Sequence, residues 1–299
     1  MSIAPQVEPI ELDELACWRV RTAHAELLVA QQGAQVLRYQ PHGQQPVIWL
    51  SDDAAYKKGQ SVRGGVPVCW PWFGDLARNP DAIQTLHAGA PAPAHGAARG
   101  LDWQLQDIDS EDEAVTLTFT FTPSAEALPN LPKGVQLSLA IRLDQRLTLT
   151  LTTFNGSDQP LPFSQALHTY FAVSDIHQAQ IEGLEDTRYI ETLEDWQSRQ
   201  QQGAVTFTGE TDRIYLDIPA ELSIVDPQWQ RRIHLASSGS RSAVVWNPWI
   251  AKAQRLSQFA ADAWTGMLCI ETANVLDDIV TLAPGAQHSM AVTLWSEAT

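Results

Sequence analysis

"AVTLTFTFT", residues 114–122, sets Val115, Leu117, Phe119 and Phe121 on one side of an extended chain and threonines on the other. β-branched and aromatic residues at strict period two predict a strand with one buried face. "GVQLSLAIRL" (134–143) and "RLTLTLTTF" (146–154) repeat the pattern after short breaks, which predicts antiparallel neighbours. The same reading predicts strands at 24–30, 34–39, 46–50, 161–167, 213–218, 231–236, 242–246, 266–272 and 287–295, punctuated by turn clusters such as "NGSDQP" and "SSGSR". Helical spacing is confined to 250–260, "IAKAQRLSQFA", and a shorter stretch near 191–200, and neither alternates with strands as βαβ units would. The expected fold is all-β, a large antiparallel β-sandwich with few short helices.

The chain has 299 residues, 44% of them hydrophobic, enough for one large core. No linker and no period of 20 to 50 residues interrupts it, so a single domain spanning 1–299 is expected. No run approaches the eighteen or so apolar residues of a membrane span, and the first twenty residues lack the basic start and apolar stretch of a signal peptide. The expected location is the cytoplasm. Cys17, Cys69 and Cys269 are an odd number without a CxxC, which predicts reduced, mostly buried thiols rather than a disulfide framework or a zinc cluster. A net charge of −16 argues against nucleic acid and against anionic membrane surfaces as partners. It leaves room for a small anion, because a few converging arginines dominate the local field of a pocket.

"RGGVPVCWPWFGD" (63–75) places Arg63 beside two glycines and among prolines and tryptophans. The glycines permit close backbone approach and the guanidinium suits bidentate contact with a carboxylate or phosphate, although a tight turn with a surface arginine fits equally well. The Ala/Pro/Gly-rich stretch 87–100 reads as a binding loop, and its "HGAARG" offers His95 and Arg99 beside glycines of its own. In "SQALHTYFAV" (164–173) His168 ends an apolar strand, as a satisfied half-buried residue or as a proton donor and acceptor. In "GMLCIETANV" (266–275) a wholly apolar run delivers Glu271, and a buried acid is either paired or functional. Asp212 heads a strand in "ETDRIYLDI", as a turn cap or as an acceptor for a hydroxyl or a histidine. Trp246 and Trp249 in "VVWNPWIAK" serve as core residues or as pocket walls. Flat rings beside acids and amides suit a sugar.

Taken in order, "RGGVPVCWPWFG", "HGAARGLDWQL", "LHTYFAVSDI", "TDRIYL", "VVWNPW" and "MLCIETANV" resemble the hexose-6-phosphate mutarotase family, the glucose-6-phosphate 1-epimerases of the aldose 1-epimerase superfamily. The resemblance runs from about residue 20 to the C-terminus. It implies a galactose-mutarotase-like sandwich and cofactor-free interconversion of the anomers of an aldohexose 6-phosphate, with no metal. By motif match it implies His168 as general acid, Glu271 as general base, Arg63 and Arg99 on the 6-phosphate, and His95 and Asp212 on the sugar, with Trp246 beside them. Ala97 departs from the pattern, standing where the family often carries a bulkier residue. The implied mechanism takes the proton of O1 onto Glu271 while His168 protonates the ring oxygen, rotates about C1–C2 and reverses. Ordinary values near 4.3 for Glu and 6.5 for His already place the carboxylate below the imidazolium, so no strong tuning is expected. The rival readings are a neutral-aldose 1-epimerase, a non-catalytic sugar-binding module and, remotely, a retaining glycosidase. The expected partner is a small sugar phosphate, and the expected state a monomer or weak homodimer.

Overall fold

Alternation of the kind seen at 114–122 has to bury one face of each sheet, and two sheets of eight strands do so against each other. The structure, a computed structural model, describes residues 4–299. The back sheet runs, in spatial order, Gln180–Glu182, Glu221–Asp226, Arg231–Ser238, Gln287–Ala298, Leu147–Asn155, Val135–Leu143, Ala114–Phe121 and Gln104–Glu111. The front sheet runs Gln197–Gln200, Arg188–Glu191, Thr211–Leu216, Ser242–Asn247, Met267–Asn274, Gln165–Leu167 and Val68–Cys69, with Tyr170–Ala172 also paired to Met267–Asn274. A four-stranded sheet of Gln6–Leu12, Leu15–Arg21, Ala25–Ala30 and Val36–Pro41 is added, and Leu161–Phe163 pairs with Val280–Leu282.

Side chains sort by parity. Leu117, Phe119, Leu149 and Leu294 of the back sheet join Tyr215, Val245 and Ile270 of the front sheet in one buried cluster. Full burial of such a side chain contributes about 1.5–3 kcal/mol, and the strands are held face to face by the sum. The neighbouring residues Ile214 and Val244 point the other way and belong, with Ala166 and Ala273, to a separate small cluster on the outer face of the front sheet. That outer face carries the site.

Four expectations need correction. The stretch 191–200 is not helical: Arg188–Glu191 and Gln197–Gln200 form a hairpin whose turn residues Asp195 and Trp196 both take positive φ, the geometry that matches strand twist. The region 46–50 makes only isolated bridges, Ile48 to Phe171 and Leu50 to Gly64. The helix expected over 250–260 spans only Trp249–Ala253. The stretch 161–167 divides between two sheets at Ser164, whose hydroxyl accepts from Phe73 N–H and donates to Asn79. All three cysteines are free and buried. Among the described residues, no helix is long and apolar enough to cross a membrane.

Candidate active site

Met267–Asn274 is buried throughout and lies inside the front sheet. Leu167 pairs with Thr272 on one side of a short break and Tyr170 pairs with Cys269 on the other, so a single register sets position 168 opposite position 271. Residues directly opposite across an antiparallel pair hold their Cβ atoms about 4.5–5.5 Å apart. His168 Nδ1 and Glu271 Oε2 accordingly lie 3.5 Å apart, with side chains 8% and 2% exposed. Neither atom has a hydrogen-bond partner, although both are buried. Burial pushes Glu271 well above the usual carboxylate range, assisted by Asp212 and opposed by Arg99 and Lys252. Burial likewise drives His168 well below the ordinary imidazole value, with His95, Arg99 and Arg63 acting in the same direction. The ordinary order of the two groups therefore does not hold here: desolvation favours the uncharged form of each, and strong tuning is present.

Two loops bring three more predicted residues to this pair. Gly65 has φ +70°, and a Cβ there would meet Val36 O at 2.2 Å, so the backbone of the first loop admits only glycine at that point. Arg63, just before it, donates from Nε to Ser257 O at 3.3 Å and from Nη1 to the Tyr170 hydroxyl at 3.4 Å. In the second loop His95 itself takes φ +65°. Its Nδ1 accepts the Gly74 N–H at 3.4 Å and lies 3.6 Å from Cys69 Sγ. Because a backbone N–H can only donate, the ring proton of His95 sits on Nε2. Burial, then Arg99, Arg63 and Lys252, push its pKa down to about 3, which keeps it a neutral N–H donor. Arg99 donates from Nη2 to Ala94 O at 2.7 Å. Among the described residues neither Arg63 nor Arg99 lies within ion-pair distance of a carboxylate.

Asp212 and Trp246 are partners across adjacent strands, one row from Val244 and Glu271 on the same outer face. Asp212 lies 3.7 Å from Lys252 Nζ, and burial raises its pKa against that charge. Trp246 stands edge-on to the His168 and Tyr170 rings, with centroids 6.1 and 6.0 Å away. All seven predicted residues line one cavity of about 610 Å³, within the range of small-molecule sites. Two further lining residues carried no assignment from sequence. Lys252 balances Asp212 and Glu210 beneath Trp246. Tyr170 stacks on His168, and the two share a face because Tyr170 pairs with Cys269 in the same register that sets position 168 opposite position 271.

A pocket on the outer face of an antiparallel sandwich, with a buried imidazole opposite a buried carboxyl, defines a site for moving protons on a small bound molecule. The aldose 1-epimerase family model matches residues 17–295, and the chain belongs to that family. It is 34% identical over 273 residues, covering 91% of this chain and 87% of the relative, to an Escherichia coli K12 protein named "Putative glucose-6-phosphate 1-epimerase". A Cenchrus ciliaris protein of the same name is 30% identical over 297 residues, 96% of this chain and 85% of its own. The crystal structure of a Salmonella typhimurium protein described as "a putative mutarotase" superposes with a TM-score of 0.88 at 29% identity, covering 98% of this chain and 94% of that one. A galactose mutarotase-like protein from Clostridium acetobutylicum shares the fold, with a TM-score of 0.72 at 14% identity over 99% of each chain.

Proposed function

We propose that this epimerase interconverts the α and β anomers of an aldohexose 6-phosphate, glucose 6-phosphate above all, and that the whole chain 1–299 works as one cofactor-free unit in the cytoplasm. The observation that carries this reading is the pair of arginines, Arg63 and Arg99, open to the His168–Glu271 cavity without a carboxylate partner in a chain of net charge −16. Arginine is the residue best matched to a phosphoryl group, and a neutral sugar has no use for two of them. The names of the E. coli and C. ciliaris relatives support the same substrate.

In this reading Glu271 takes the O1 proton while His168 gives one to the ring oxygen, and the ring opens to the aldehyde. Rotation about C1–C2 exposes the other face, and the reverse transfers close it. The pair holds one proton in total, placed on His168 at the start of ring opening and on Glu271 at its end. His95 offers its fixed Nε2–H to a sugar oxygen, Asp212 accepts from a hydroxyl, and Trp246 walls the ring. Each positioned acid or base contributes on the order of 10²–10⁴-fold.

Saturation-exchange NMR on the anomers of glucose 6-phosphate, glucose and galactose tests the reading. Accelerated exchange is expected for the phosphate ester well ahead of the two neutral sugars. Equal rates for all three would replace it with a neutral-aldose epimerase. The Glu271→Gln protein is expected to bind glucose 6-phosphate with exchange slowed at least about a hundredfold. Unchanged exchange would remove Glu271 from the mechanism, and no exchange in the parent protein would leave a sugar-binding module.

A further inference from the structure

We propose that Tyr170 couples the two ends of the cavity, so that a phosphoryl dianion held at Arg63 takes part in the proton transfers instead of serving only as a handle. This rests on the phosphate reading of Arg63 given above. Tyr170 is 3% exposed and is gripped on every side. Its ring lies flat on His168, centroids 4.8 Å apart and planes 6° from parallel. Trp49 stacks with it at 5.8 Å and 22°, and Trp246 meets it edge-on. Its hydroxyl accepts the Arg63 Nη1 hydrogen bond. A ring so confined cannot follow a movement of Arg63 without pressing on His168, because stacked aromatic pairs favour a fixed offset geometry.

The charges around His168 give the coupling its sign. His168 faces Glu271 from the adjacent strand, His95 and Arg99 from the second loop, and Arg63 from the first, with the neutral Tyr170 beneath it. Glu271 feels Asp212, Arg99 and Lys252. Arg63 therefore opposes a proton on His168. A dianion that offsets Arg63 favours the imidazolium, the form of His168 that ring opening needs, and Tyr170 joins the two groups through its hydroxyl and its ring. Binding energy from a part of the substrate remote from the reacting atoms is then expressed in kcat, and a truncated substrate loses rate as well as affinity.

The test supplies the two parts of the substrate separately, as glucose and inorganic phosphite. In the wild-type protein, saturating phosphite is expected to raise kcat/KM for glucose anomer exchange at least about tenfold, and to compete with glucose 6-phosphate. Tyr170→Phe keeps the ring stack and removes the hydroxyl; phosphite should still compete, while its activation of glucose exchange falls below about twofold. Phosphite that competes without activating the wild type would make Arg63 a handle only and overturn the proposal, as would phosphite that neither competes nor activates. Activation that survives in Tyr170→Phe would also overturn it, because the coupling would not run through Tyr170. A Tyr170→Phe protein slowed equally on glucose alone and glucose 6-phosphate would show a packing role instead. If glucose 6-phosphate is no better a substrate than glucose, the failure lies in the phosphate reading itself.

Discussion

At the scale of single residues, the proposed chemistry turns on how one proton is shared between His168 and Glu271. Burial raises the carboxyl and depresses the imidazole, so between those two values the pair carries one proton, mostly as the uncharged forms. Below the lowered His168 value the pair holds two protons and no base remains; above the raised Glu271 value it holds none and no acid remains. The expected kcat/KM profile is a bell whose acid limb lies below the ordinary imidazole value and whose alkaline limb lies above the ordinary carboxylate value. A pH-rate series on the free enzyme checks this. An acid limb at or above the ordinary imidazole value of 6.5, or an alkaline limb at or below the ordinary carboxylate value of 4.5, would contradict it.

At the scale of elements, the loops rather than the strands aim the two arginines, and their glycines differ in what they tolerate. Gly65 carries positive φ against Val36 O, donates to Trp49 O and accepts from Tyr170 N–H, so it seats the Arg63 loop directly under the tyrosine. Gly74 also has positive φ, but a Cβ there meets nothing within 4 Å. Gly65→Ala is expected to cost at least about 2 kcal/mol, lowering Tm by about 3 °C or more, against about 1 kcal/mol for Gly74→Ala. Thermal unfolding of the two variants side by side checks the contrast, and equal losses would sink it. The same scale shows what a reader of the sequence can and cannot obtain. The central strands were legible because burial on one face writes period two into the residues, and Glu271 stood out because an acid ends an otherwise apolar run. The hairpin at 188–200 was not: its edge strand Gln197–Gln200 is exposed throughout and carries no hydrophobic period. Gln6–Leu12, with Pro9 on an edge, was silent for the same reason. Tyr170 required the register, since only pairing to Cys269 reveals that it shares a face and a stack with His168.

At the scale of the whole molecule, an excess of negative charge surrounds a cavity lined by two arginines that have no carboxylate partner among the described residues. Long-range repulsion is screened within about 8 Å at physiological ionic strength, so contact chemistry decides affinity. Glucose 6-phosphate at a hundred times its dissociation constant is expected to stabilise the fold by about 2.7 kcal/mol, raising Tm by about 4 °C, and glucose at the same concentration by much less. Arg99→Ala should remove most of that difference in a thermal-shift titration; equal protection by the two sugars would argue against the arginine pair. The shared ladder register that sets His168 opposite Glu271 also bears on how this chain tolerates change in length. Their separation is fixed by the spacing of neighbouring strands and is indifferent to the length of chain that joins them. Insertions at the exposed turns between them leave acid and base in place. A one-residue slip in the Met267–Asn274 ladder, by contrast, swings position 271 into the apolar layer between the sheets and brings Ile270 or Thr272 to the pocket. Descendants of this chain can therefore vary freely in loop size while the count of residues along one strand stays constant.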